Sequence, residues 1–400
     1  MNDHPRRLTF LLAALSALGP FSIDTYLPAF PAIARSLGAS AVEVQHTLPA
    51  YLLPFAFMML WQGAISDALG RRRVILFGLG LFAIASLVCA AATRIEMLWL
   101  GRALQGCSAG FGIIIGRAMV RDLLDGPAAQ RLMAKVALLF AIAPAIAPVI
   151  GGWILRFFDW HGVFVFLALL AGLLLLACAL WLPETLPPAR RQPLVAAPLA
   201  RAYGRMFSHP RFLFLSLATA LNFNAFFVYV LAAPVFLMQL LHLSAQSFAV
   251  LFVPQVTGMM AGSILSGRLA GRLSPGRTIA LAYLLMTTAA LLNLLLNLWL
   301  PPGLPWSIAP LPLFACGMAL AMPSLQLLAL DLFPARRGLA SSGLGVIQTS
   351  VGALSSALLI PLLWSSTLRL AAGMATFLLL GATAFWLARR QRVEQATADC

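Results

Sequence analysis

The chain has 400 residues, 61% of them hydrophobic and only 10% charged, with a mean hydropathy of +0.92. A soluble globule carries about a quarter charged residues, so this composition excludes one and points to a protein that lives in a bilayer. The net charge of +15 raises nucleic acid as a partner, but the placement of the basic residues argues for topology instead.

Apolar runs recur along the whole chain, each long enough for a span of roughly 20 residues. In order they cover 8–30, 44–66, 74–93, 96–118, 132–156, 160–182, 211–240, 246–268, 277–300, 306–330, 339–363 and 367–388. With no water in the bilayer core to pair backbone groups, each is expected to be a helix. The first and seventh runs are long enough to include a turn outside the membrane. The expectation is an all-α membrane protein of twelve helices in two six-helix bundles.

With the N-terminus taken as cytoplasmic, 22 of the 27 basic residues fall on the inner side, including Arg71, Arg72, Arg73, Arg190, Arg191 and Arg336. Arg35, Arg94, Arg156 and Arg369 fall outside, and Arg102 lies within a helix. This is the positive-inside asymmetry. It places both termini in the cytoplasm and removes the need for a nucleic-acid surface. Cys89, Cys107, Cys178 and Cys316 lie in spans without CxxC spacing, which suggests neither a disulfide framework nor a metal site.

Asp24 is the only charge between Leu8 and Phe30. A carboxylate in hydrocarbon costs about 2.5–3.5 kcal/mol on insertion scales and marks a proton, ion or ligand site by default. At 1.5 Å per residue Asp24 lies about 24 Å from the cytoplasmic end of its span, and Arg102 about 9 Å from the outer end of the fourth. The two therefore share a depth and read as a buried pair, with proton coupling as the functional reading and a static ion pair as the alternative.

The longest polar connection, 184–210, is rich in proline and arginine and divides an N-terminal bundle, 1–183, from a C-terminal bundle, 211–400. The halves align at an offset of 204, with Arg7 on Arg211, Gly63 on Gly267 and Arg73 on Arg277. Asp24 falls on Val228 and Arg102 on Trp306, so the second half has no counterpart of the pair. Two halves related in this way bind substrate between them near mid-membrane and rock to alternate access.

After the second run the chain reads Gly63-Ala-Ile-Ser-Asp67-Ala-Leu-Gly70-Arg71-Arg72-Arg73. Gly63 and Gly70 allow close packing and a tight turn, and Asp67 can pair with the arginines. The segment resembles the G-x-x-x-D-x-x-G-R-R/K loop of the major facilitator superfamily. That resemblance implies a conformational latch built on Asp67 and Arg71, joined by Arg121 and Asp122 at the end of the fourth span. Leu98-Trp-Leu-Gly-Arg102-Ala-Leu-Gln105-Gly106 resembles the family's span-four pattern. Pro144, Pro148, Gly151 and Gly152 in the fifth span are similar to its antiporter motif, with Ala143 and Ala147 where that motif has glycines.

Asp24-Thr25-Tyr26-Leu27-Pro28-Ala-Phe-Pro31 resembles the D-x-Y-L-P-A-x-P signature of Bcr/CflA-type drug exporters, and Gln45, Tyr51 and Leu182-Pro183-Glu184-Thr185 extend the likeness. The resemblance implies an inner-membrane antiporter, a monomer, that exports chloramphenicol- or bicyclomycin-type compounds or small metabolites in exchange for protons, with the lipid bilayer, small molecules and protons as partners. Candidate cavity residues are Tyr26, Tyr51, Gln105, Asn222, Asn224, Tyr229, Gln255 and Gln348. Phe55, Phe57, Met58, Met59 and Trp61 either make that cavity more apolar or face lipid. No Walker loop, covalent catalytic constellation or cofactor motif is present, so neither an enzyme nor an ATP-driven pump is expected. A proton-coupled uptake symporter and a non-transporting membrane scaffold are the rivals.

Overall fold

The computed structural model describes residues 4–123 and 126–398; of these, 4–7, 9, 121, 126–131, 134, 135, 137–141, 335 and 392–398 are described by their backbone only. Among the described residues ten helices are long and apolar enough to cross a membrane. The pair Ala41–Met59 and Gln62–Leu69, bent by 52°, makes an eleventh. Gly126–Phe157 is the helix at the fifth predicted run, and its described apolar part is Ile142–Phe157. The fold is all-α and built for lipid: leucines such as Leu169, Leu173, Leu176 and Leu180 are exposed along one side of His161–Trp181. In a soluble protein an apolar stripe of this kind would be covered.

Several spans depart from plain helices. The first, expected to end at Phe30, runs on to Leu37, where Gly38 supplies the left-handed C-cap (φ +61°). Within it the α-helix His4–Asp24 ends at Asp24, a turn follows, and Leu27–Ala29 forms a 3-10 turn with Pro28 at its start. A proline lacks the N–H needed to continue the ladder. The second span, read as one run over 44–66, is the bent pair. Ser40 starts it with a capping box, accepting from the Glu43 amide while the Glu43 carboxylate accepts from the Ser40 amide. The seventh and eleventh runs carry five-residue π-turns, Phe236–Leu240 and Ser355–Leu359.

The chain divides into two compact units, Met1–Val195 with Ala245–Ala249, and Ala196–Ser244 with Val250–Cys400. In the first, span one packs on five, two on four, and three on four and six. In the second, span seven packs on ten, eleven and twelve, and nine on ten and twelve. The polar connection contains an element that hydropathy does not reveal, the helix Ala196–Phe207, which buries Ala202, Tyr203 and Met206 and exposes Arg201 and Arg205.

The two units differ in what they bury. Among the described residues the first encloses three charged side chains, Asp24, Arg71 and Arg102. The buried polar residues described in the second are all neutral, among them Asn222, Asn224, Gln255, Asn293 and Asn297.

Candidate functional site: a buried carboxyl and guanidinium in the first unit

The centre of the first unit is assembled by spans one to four. Arg102, from Ile95–Ala109, is fully buried. Its Nη1 donates to the Ser22 carbonyl at 2.9 Å and to Gln105 Oε1 at 2.7 Å. Its Cζ lies over the rings of both Tyr26 and Tyr51, 4.4 Å from each centroid. Nε and Nη2 make no hydrogen bond among the described residues.

A second layer fixes these partners. Tyr26 and Thr47 share a hydrogen bond of 2.5 Å, and Ser22 Oγ lies 2.8 Å from the Tyr51 hydroxyl. Gln105 Nε2 donates to Ser86 Oγ at 2.7 Å, and Ser86 in turn donates to the Phe82 carbonyl. Ser22, Thr47 and Ser86 are short hydroxyl residues that the sequence alone does not single out in apolar helices. Their spacing opposite Tyr51, Tyr26 and Gln105 is visible only in three dimensions.

Asp24 is 4% exposed and has no hydrogen-bond or ion-pair partner among the described residues. The ion pair with Arg102 anticipated from matching depth is not formed. The reason is local: the helix ends at Asp24, and the turn that follows lays Tyr26, not the carboxyl, on the guanidinium. Asp24 thus occupies the negative end of its helix, the position least suited to a bare negative charge. Close packing frames this turn. Gly151 of the fifth span lies against the Thr25 backbone carbonyl, and Gly106 of the fourth against the Tyr51 carbonyl, so a Cβ fits at neither position. Pro148 and Gly152 are buried beside Gly151, and Pro144 is half-buried.

A second charged cluster lies at the other end of the unit. Arg71 Nη1 meets Asp67 Oδ1 and Ser66 Oγ, each at 2.5 Å, and Nε meets Asp122 Oδ2 at 3.2 Å. Thr185 donates to the same Asp122 oxygen at 2.8 Å, and Glu184 Oε1 accepts from the Arg71 amide at 2.9 Å. Gly70 has φ +100°, and a Cβ there would come within 2.5 Å of Glu184 Oε2 and 2.9 Å of Arg191 Nη2. Glycine is therefore required on both counts. Gly63 differs from the expectation of close packing: nothing lies within 4 Å of where its Cβ would be. Its carbonyl instead accepts from Ser66 Oγ. The Arg121 side chain lies outside the described residues. Glu184 and Thr185 join the cluster from the connection after span six, a role that spacing did not suggest.

In the second unit the candidate residues disperse. Asn222 Nδ2 donates to Tyr283 on span nine, and Asn224 Nδ2 to the Ala220 carbonyl, with the Gln348 carbonyl at 3.5 Å. The side-chain oxygens of Asn222, Asn224 and Gln255 have no partner among the described residues. Tyr229 accepts from Asn293 Nδ2 at 2.8 Å, while Asn297 Nδ2 donates to the Asn293 carbonyl and Oδ1. In span two, Phe55 stacks on Tyr51, whereas Phe57 is exposed on the bundle surface.

The profile of the Major Facilitator Superfamily matches residues 10–358. The chain belongs to that superfamily. Among curated relatives, an MFS-type transporter of Bacillus subtilis, YdgK, is 32% identical over 97% of this chain and 96% of its own length. A bicyclomycin resistance protein homolog of Haemophilus influenzae is 29% identical over 90% of each, and multidrug resistance protein D of Escherichia coli is 28% identical over 85% of each. The fold matches the solved D-xylose–proton symporter with a TM-score of 0.72 at 15% identity over 96% of each chain. It matches the human organic anion transporter MFSD10 with a TM-score of 0.69 at 20% identity, over 96% of this chain and 99% of the other. As a member of the Major Facilitator Superfamily the chain is a multi-pass membrane transporter of small molecules.

Proposed function

We propose that this transporter is a proton-driven exporter of small amphipathic, drug-like compounds in the bacterial inner membrane, acting as a monomer with both termini cytoplasmic. The two transporting halves are 1–183 and 211–400, joined by the connection 184–210. One observation carries the reading: Asp24 is a carboxyl enclosed in a membrane bundle, without an ionic or hydrogen-bonded partner among the described residues, and the same bundle encloses Arg102. Such a group is costly as a charge and inexpensive as a neutral acid, which suits loading and release of a proton. The direction of transport is supported by the relatives named for bicyclomycin and multidrug resistance.

In this reading Asp24 takes a proton from the outer side and returns it inside as the carrier resets, and Arg102 is its electrostatic partner. The Asp67–Arg71–Asp122 cluster, with Gly63, Gly70 and Arg121, is the latch of one conformational state. Tyr26, Tyr51, Gln105, Asn222, Asn224, Tyr229, Gln255 and Gln348 contribute to the substrate cavity. Pro144, Pro148, Gly151 and Gly152 shape the helix that closes over Asp24.

The test is a drug-susceptibility panel in an efflux-deficient host, paired with transport in inverted vesicles under an imposed pH gradient. The wild type confers resistance and accumulates drug in the vesicles at the expense of the gradient, and Asp24→Asn does neither. Gradient-driven transport retained by Asp24→Asn refutes the coupling role, and accumulation in the opposite direction identifies an uptake symporter.

A further inference from the structure

The Arg102 guanidinium is wholly enclosed yet only partly used. Nη1 holds Ser22 and Gln105, while Nε and Nη2 make no hydrogen bond among the described residues. The guanidinium Cζ lies over two aromatic rings at equal distance, those of Tyr26 and Tyr51. Each ring is pinned by its own hydroxyl, Tyr26 to Thr47 and Tyr51 to Ser22. Asp24 lies two residues from both Ser22 and Tyr26, and its carboxyl has no partner among the described residues. A guanidinium with a bare edge and a carboxyl without a partner are thus buried in one bundle, and among the described residues no ion pair joins them. A neutral acid offers a buried cation no counter-charge, and an enclosed charge without one is costly, so other groups must hold the cation while the acid is neutral. The electron-rich faces of the two tyrosines are suited to that, since a desolvated guanidinium gains most from aromatic faces.

We propose that Tyr26 and Tyr51 are positioning residues of the coupling centre. Their rings clamp Arg102 in place while Asp24 carries a proton, and the open Nε–Nη2 edge receives the carboxylate once the proton leaves. This rests on the reading of Asp24 as the coupling acid. The titratable groups in contact with Arg102 are Tyr26 from span one and Tyr51 from span two; Cys89 from span three lies within reach of its charge, and Tyr51 within reach of Asp24. Thiols and phenols ionise above neutral pH in their ordinary state, so neither ring of the clamp gives up a proton in the working range. The clamp holds a cation without itself competing for the proton.

The experiment needs no transported ligand. The purified full-length protein in lipid is titrated while the infrared carbonyl band of protonated carboxyls is followed, and Asp24→Asn identifies the Asp24 component. With the clamp loosened in Tyr26→Leu or Tyr51→Leu, Arg102 is free to engage the carboxylate, and the Asp24 midpoint falls by about one pH unit or more. Tyr51→Phe keeps the ring and moves the midpoint far less. Where a leucine variant fails to fold, a methionine at the same position, which also removes the ring but fills more of its space, carries the same expected fall. An Asp24 band that titrates but stays in place in these ring-less variants overturns the clamp alone. So does a shift in Tyr51→Phe as large as in Tyr51→Leu, because the hydroxyl and not the ring would then be responsible. A carboxyl band with no Asp24 component at any pH overturns the coupling reading and the clamp together.

Discussion

The Thr25 backbone carbonyl occupies the space that any side chain on Gly151 would need. Span five therefore rests directly on the turn that follows Asp24. Gly151→Ala forces the two backbones apart and is expected to cost about 1–3 kcal/mol, as overpacking does. Thermal unfolding of the purified protein measures this. Transport should fall further than stability alone explains, because the displaced turn carries the acid. A variant with wild-type melting and wild-type transport contradicts this account.

Arg71 and Asp67 are partners of unequal burial: the Arg71 side chain is 9% exposed and that of Asp67 41%. Asp67→Asn removes a half-exposed charge and should cost under about 1 kcal/mol. Arg71→Ala withdraws a cation from Asp67, Asp122 and Ser66 at once. Its cost falls between the exposed and buried limits, at about 2 kcal/mol. Denaturation midpoints of the two variants rank them; equal losses would mean that Asp122 contributes little.

Thr185 and Arg71 share Asp122 Oδ2 as an acceptor. A double-mutant cycle of Thr185→Ala and Asp122→Asn should show a coupling of about 1 kcal/mol, within the range for residues in one network. Additive effects would place Thr185 outside the cluster energetically, whatever its distance.

Asn293 is fully buried and serves Tyr229 and Asn297 together. Asn293→Leu strips both of a partner and should destabilise by about 1–3 kcal/mol, the cost of a buried polar group left unpaired. Because no member of this network titrates with Asp24, the pH dependence of transport should be unchanged in the variant. A shifted pH profile would tie the second unit to the coupling step.

Much of this molecule is legible in the sequence because a bilayer imposes a simple rule. Each apolar run long enough to cross must be a helix, and the described helices follow the twelve runs. Depth is equally readable, since a helix rises a fixed amount per residue. Azimuth is not. Asp24 and Arg102 share a depth, but the direction of the carboxyl depends on a helix that stops at Asp24 and restarts at Leu27. A rise-per-residue argument carries no information about that turn, and the expected ion pair failed there. The same limit hid Glu184 and Thr185, which reach Arg71 from a non-helical connection, and Asn293 and Asn297, which look like isolated polar residues until Tyr229 is placed beside them. Helix Ala196–Phe207 escaped because it is short and amphipathic, with too little apolar length to register as a span.

The neutral interior of the second unit bears on how a cell's electrical potential can act on this transporter. An electric field across a membrane does work only on charge that moves through it, about 2.3 kcal/mol per elementary charge for each 100 mV. A bundle whose enclosed polar groups, among the described residues, are amides and hydroxyls offers the field little to grip in its interior, while the other bundle encloses an acid and two guanidiniums. Any voltage sensitivity in the transport cycle is therefore expected in the half that carries Asp24 and Arg102.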